Sequence, residues 1–167
     1  MEDLPLWLRL AIILLLVAGN AFFVGSEIAI SSARRSRIRQ LAEDGNGKAK
    51  TVKLLHEEPE RFYSVTQIGI TLVSLGLGAV GMETLHTVID PWVVALFTAL
   101  GDHDALHHTA HLVAYILGFI VVSFVHIVGG ELAPKVLAFH KAEPISMRVG
   151  KLINLMYLTF RPLIFVM

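Results

Sequence analysis

Long apolar stretches alternate with polar ones along this 167-residue chain, and their lengths set the first reading. Residues 10–25 and 112–130 contain no lysine, arginine or acid, while the stretch over 64–82 is apolar but threaded with Gly69, Gly76, Gly78 and Gly81. With their flanks these runs reach the ~20 residues that a helix needs to cross a hydrocarbon core ~30 Å thick. The pattern predicts three spanning helices, over about 5–33, 64–82 and 110–136, with Pro5 in a first helical turn. A fourth apolar stretch, 152–167, is interrupted by Arg161-Pro162 and reads as an interfacial or partly inserted helix. Residues 91–100 are apolar but too short to cross, which predicts a separate surface or re-entrant helix. Over 34–62 the apolar residues Ile38, Leu41, Val52, Leu54 and Leu55 alternate with charges. That stretch reads as two short amphipathic helices lying on the membrane face, with Asn46-Gly47 as the turn between them.

Composition narrows the class to a membrane protein, since 54% of residues are hydrophobic and 17% charged, and the helix-length apolar runs make the expected fold all-α. The acids Glu2 and Asp3 and the lack of a basic start argue against a secretory signal, so the first run is read as a mature span. Zero cysteines remove thiolate chemistry and leave any metal to oxygen or imidazole ligands. A formal net charge of zero gives no global field for nucleic acid. Placement matters more than the sum. Basic residues crowd the stretch from Arg34 to Arg61 and return at Lys135, Lys141, Arg148, Lys151 and Arg161, whereas the connection between the second and third spans carries acids alone. The positive-inside bias then predicts an amino terminus outside and a carboxyl terminus inside.

Two glutamates carry the candidate chemistry. Glu27 follows Phe23-Val24-Gly25-Ser26 at the end of the first span, and Glu131 lies in Gly129-Gly130-Glu131-Leu132-Ala133-Pro134-Lys135 at the end of the third. A carboxylate at such depth costs a few kcal/mol, ~2.5–3.5 for an aspartate at a helix centre, and by default marks an ion or proton path. Glycine, serine and glutamate together can offer carbonyl, hydroxyl and carboxylate oxygens to a hard cation; the same residues also read as a helix end beside arginines. At the second motif Pro134 removes a donor from the turn containing Gly130, which predicts a free carbonyl beside the Glu131 carboxylate. The other reading is a proline kink with Glu131 paired to Lys135. In the second span Gln67, Thr71, Ser74 and Gly78 share one helical face, which suits either a neutral oxygen-bearing site wall or close helix packing. His126 lies about a turn before Glu131, as a packing residue or a partner of the cavity. Oxygen ligands of this kind suit Mg2+, and Na+ would accept the same atoms. In the loop before the third span, His103, His107 and His111 recur every four residues with His108 among them, a spacing open to zinc or nickel or to a plain polar loop. No nucleophile–base pair or phosphate-cradling loop points to an enzyme.

The segments Asn20-Ala21-Phe22-Phe23-Val24-Gly25-Ser26-Glu27-Ile28-Ala29, Gln67-Ile68-Gly69-Ile70-Thr71-Leu72-Val73-Ser74 and Gly130-Glu131-Leu132-Ala133-Pro134-Lys135 together resemble the transmembrane domain of the CorC and cyclin-M magnesium transporters. The likeness runs through nearly the whole chain, 4–167. It implies a plasma-membrane homodimer with three transmembrane helices per protomer and a cytoplasmic belt of juxtamembrane helices, here about 34–62 and 143–167. It implies sodium-dependent Mg2+ export through an inward-facing cavity that holds a dehydrated ion. By position, Ser26 and Glu131 become ligand donors, with Thr71, Ser74 and the carbonyls at Gly25 and Gly130 completing the cage. Glu27, Gln67, His126, Pro134 and Lys135 then surround it. Relatives often carry serine at the position of Val24 and asparagine near Ile70, so those side chains do not contribute in this chain. Family members usually continue into ATP-binding cystathionine-beta-synthase domains, so the expectation is a transport core parted from its regulatory half. A membrane-anchored Mg2+ sensor with no transport of its own is the alternative.

Overall fold

The computed structural model describes residues 4–100 and 104–164, all of whose regular structure is helical. Helix α1 (Leu6–Ser32) starts on Pro5, whose extended backbone leaves its carbonyl to accept from Leu8 and Arg9. At ~1.5 Å per residue α1 is ~40 Å long, enough to cross and project. Extended backbone at Ala33 ends it, and the buried His56 ring donates from Nε2 to the Ile30 carbonyl at 2.7 Å, covering an acceptor in the last turn.

Helices α2 (Arg35–Glu43) and α3 (Gly47–Glu57) come next as a short hairpin. The turn falls at Asp44-Gly45, two residues earlier than the sequence predicts. Gly45 takes the left-handed conformation at φ 92°, and Asn46 caps α3, its side chain accepting from the Lys48 and Ala49 amides at 3.0 and 3.2 Å. Ala33, Ile38, Val52 and Ala142 bury together here, joining the end of α1 to α2, α3 and the start of α7 (Ala142–Ile164). A second cluster, Ile30, Leu55, Phe62, Val65 and Ile153, continues the same packing into α4. Arg34 bridges to Glu143 at 2.8 Å, and this hydrogen bond holds the Glu143 carboxyl below the ordinary carboxylate value.

Helix α4 (Glu60–Leu100) corrects the expected layout. It is one helix of 41 residues, ~62 Å at ~1.5 Å per residue, about twice a hydrocarbon core. The expected separate helix over 91–100 is its carboxyl-terminal end, with Pro91 inside the helix. Tertiary packing outweighs the proline penalty: Val93 buries against Ala110 and Ala114, with Ile89, Val94, Phe97 and Val113 around them. Those partners belong to α5 (Asp104–Val125), which runs back along α4. The chain then passes through a π-helical segment, His126–Leu132, into α6 (Ala133–His140). Helix α7 continues through Arg161, with Pro162 in its last turn, so the expected interruption does not break it.

Three helical stretches are long and apolar enough to cross a membrane: Leu6–Ser32, Glu60–Ala99 and His107–His140. Their outward faces carry Leu14, Leu15, Leu72, Leu75, Phe119 and Phe124, all more than half exposed, as lipid contact requires. Contact between α1 and α4 depends on Gly69: a Cβ there would come within 2.6 Å of the Phe23 ring.

Gly69→Ala must move Phe23 or part the helices, so a loss of ~1–3 kcal/mol is expected in thermal unfolding of the detergent-solubilised protein. Gly47→Ala, with open space around its Cβ, should unfold at or above the parent temperature. The Arg34–Glu143 pair gives a pH signature. Because the folded carboxyl titrates lower than the unfolded one, its contribution is present above the unfolded value and fades as pH falls through the folded value. Arg34 is 76% exposed, so screening limits the loss in Arg34→Ala to about 0.2–1 kcal/mol near pH 7, and unfolding curves of the two proteins should converge in acid.

Candidate functional site

The π-helical segment and α1 build the centre of the bundle around one amide. Pro134, at the start of α6, brings no N–H to the Gly130 carbonyl four residues back, and the ladder widens so that the Ala133 amide reaches Val128. Asn20, fully buried on α1, supplies donors instead. Its Nδ2 reaches the Gly130 carbonyl at 3.2 Å and His126 Nε2 at 3.1 Å. Since the amide nitrogen only donates, His126 Nε2 is the acceptor. Ser74 on α4 completes the group, donating to Asn20 Oδ1 at 3.5 Å with its oxygen 3.3 Å from His126 Nε2. The carbonyl that the sequence leaves free is thus engaged, and Gly130 is tight: a Cβ there would stand 3.1 Å from Asn20 Nδ2.

Two cavities open a turn or two further along α1, on different sides of it. The larger, about 440 Å³, lies between α1, the π segment, α6 and α7, lined by Gly25, Ser26, Gly129, Pro134 and apolar side chains. Ser26 Oγ is buried there without a hydrogen-bond partner. A buried hydroxyl left unpaired costs about 1–3 kcal/mol, so such an atom calls for an explanation beyond packing. The smaller cavity, about 110 Å³, is lined by Val24, Glu27, Ile28, Ile70, Glu131 and Lys135. Both glutamates of the sequence motifs therefore face one space, together with the two apolar positions, Val24 and Ile70. Glu27 accepts from the Thr66 hydroxyl at 2.9 Å, and Thr66 is itself fully buried on α4. Glu131 pairs with Lys135 one turn on at 3.4 Å.

The span-two residues divide. Ser74 joins the Asn20 cluster, whereas Thr71 and Gln67 are exposed on α4 and the Thr71 hydroxyl donates to the Gln67 carbonyl at 2.8 Å. Oxygen donors available to a cation are consequently Ser26 on one side of α1 and the Glu27 and Glu131 carboxylates on the other. Asn20 and Thr66 are the residues that sequence reasoning missed. Asn20 had a signal, a lone amide inside an apolar run; Thr66 had none beyond its hydroxyl. His103 and Asp102 lie outside the described residues, but His111 meets His86 and Asp90 away from this region.

Asn20→Ala removes the donor to both Gly130 and His126, and about 1–3 kcal/mol of stability should go with it in thermal unfolding. Backbone amides over 126–132 should exchange with deuterium faster in that variant while those of α3 keep their rate.

Residues 10–167 match the family described as the cyclin M transmembrane N-terminal domain. The UPF0053 protein YhdT of Bacillus subtilis is 37% identical over 167 residues, covering 100% of this chain and 34% of that protein. A second Bacillus subtilis protein, UPF0053 protein YhdP, is 39% identical over 143 residues, 86% of this chain and 31% of its own. The polyamine export protein of Haemophilus influenzae is 26% identical over 152 residues, 91% of this chain and 33% of its own. The chain spans about a third of the length of these curated relatives.

Proposed function

Because the chain belongs to the cyclin M transmembrane domain family, we propose that it is the membrane core of a Mg2+ exporter, driven by Na+ and acting as a homodimer in the plasma membrane. The observation that carries the reading is the pairing of Glu27 and Glu131 on one cavity at the level of the unpartnered Ser26 hydroxyl. Carboxylate, hydroxyl and carbonyl oxygens are the ligands that a hard cation takes in near-octahedral geometry, and Mg2+ gives up its water only to a rigid set of them.

The roles come from position. Glu131 neutralises the incoming ion and Lys135 holds that carboxylate in its absence, so cation entry exchanges the ammonium for the metal. Glu27, fixed by Thr66, balances the second charge, and Ser26, in the larger cavity on the other side of α1, gains the partner it lacks only when α1 turns to carry the ion across. The Asn20, Ser74 and His126 group keeps the π-helical segment in register behind Glu131. Thr71 and Gln67, on the exposed face of α4, reach a cation only across a protomer boundary. The arrangement holds and moves an ion; it supplies no bond-making chemistry, and α2, α3 and α7 act as the belt at the cytoplasmic face. ATP acts only through domains outside this chain, and no nucleic acid takes part.

Two other readings make different predictions. A sensor binds Mg2+ without moving it. A polyamine carrier, which the name of the Haemophilus relative raises, moves a longer organic cation. Reconstituted in liposomes with a trapped magnesium indicator, the full chain should carry Mg2+ down a gradient and faster against inward Na+. Glu131→Ala and Ser26→Ala should each cut that flux by at least tenfold. Mg2+ binding with no flux in the parent protein identifies the sensor, and spermidine flux without Mg2+ flux identifies the polyamine carrier.

A further inference from the structure

We propose a second metal site, for a transition ion such as Zn2+, formed by His86 and Asp90 of α4 with His111 of α5. It lies far from the carboxylate cavity, toward the end of the α4–α5 hairpin remote from the basic helices. His86 and Asp90 are one turn apart on α4, and His111 comes to them from the antiparallel helix. Both rings converge on one oxygen: His111 Nδ1 is 2.6 Å from Asp90 Oδ1, and His86 Nε2 is 3.5 Å from the same atom. One ligand atom from each residue lies within 4.8 Å of the others. The two imidazoles stack with centroids 6.4 Å apart and planes 23° apart, which turns both toward the carboxylate.

A tetrahedral zinc with bonds of ~2.0–2.1 Å needs ligand atoms ~3.3 Å apart. The His86–Asp90 edge already has that length. The His111–Asp90 hydrogen bond opens by about 0.7 Å to meet it, the scale of a small side-chain rotation. Two imidazole nitrogens and one carboxylate oxygen are a borderline donor set, which favours zinc, nickel or copper over magnesium. Asp90 is 20% exposed while His86 and His111 are 39% and 52%, so the carboxylate is held by packing and the open side faces solvent, leaving a fourth position for water. Sequence spacing points to His103, His107 and His111 on one helix; the fold instead recruits His111 across to α4. A metal there cross-links α4, in the turn just before Pro91, to α5.

Isothermal titration of ZnCl2 into the detergent-solubilised full chain tests the site. The parent should bind one Zn2+ per chain at this site, unaffected by millimolar Mg2+, and Zn2+ should raise its unfolding temperature. His111→Ala and Asp90→Asn should each weaken that binding by more than the ~10–100-fold that loss of an outer partner costs. Asp90→Asn preserves side-chain shape, so a normal gel-filtration profile together with lost binding separates ligation from folding. His108→Ala, on α5 but outside the triad, and Glu131→Ala should bind Zn2+ as the parent does. Unchanged affinity in both triad variants, or loss of binding on removing His108 instead, overturns the assignment.

Discussion

In hydrocarbon no water repairs an unmet backbone hydrogen bond, and Pro134 creates that problem where the third spanning stretch turns past its glutamate. The remedy lies 110 positions away in sequence, where the Asn20 amide on α1 reaches the Gly130 carbonyl. Together with the Asn20–His126 bond it adds a polar link between two helices that otherwise meet largely through apolar contact. It also fixes the depth of α1 against the π-helical segment, and with it the depth at which Ser26 and Glu27 stand opposite Ala133, Pro134 and Lys135. His126 and Ser74 draw α4 into the same group, so three helices share one set of donors and acceptors. Interhelical bonds of this kind are individually modest, about 0.6 kcal/mol on average, and their larger effect is to set register.

The widened ladder has a second effect. A π-helical stretch holds one more residue per span of axis than the α-helix it replaces, so it rotates the residues beyond it. The rotation presents Pro134 to Gly25 and turns Glu131 and Lys135 together toward Glu27. Gly129 and Gly130 make the stretch possible by keeping bulk off the α1 side, where Val17 and Asn20 lie close. The widened ladder, the carboxylate cavity and the helix contact thus occupy the same few residues.

Legibility in the sequence was a matter of range. Apolar length and the distribution of lysine and arginine are local properties, and they located the three spanning stretches and the basic hairpin of α2 and α3. The Glu131–Lys135 pair was readable because it spans one helical turn. Continuity of α4 through Pro91 was not, because the residues that override the proline are Ala110 and Ala114 on another helix. The engaged state of the Gly130 carbonyl was hidden for the same reason, since its partner is on α1. Likewise the His86, Asp90 and His111 group escaped a spacing argument that looked along one helix, because its third member crosses between two.

These features divide α4 into three zones with different tasks. Its first turns are anchored by apolar burial of Phe62 and Val65, and by Arg61, which bonds Glu58 at 2.7 Å and lies 5.1 Å over the Tyr157 ring. Its middle, with Thr66, Gly69 and Ser74, faces α1 and supports the carboxylates by hydrogen bonding and close approach rather than by charge. Its last third packs against α5 through Val93, Val94 and Phe97. A helix about twice as long as the bilayer is thick transmits motion along its axis, so tilting α4 about the Gly69–Phe23 contact moves Thr66 one way and His86 the other.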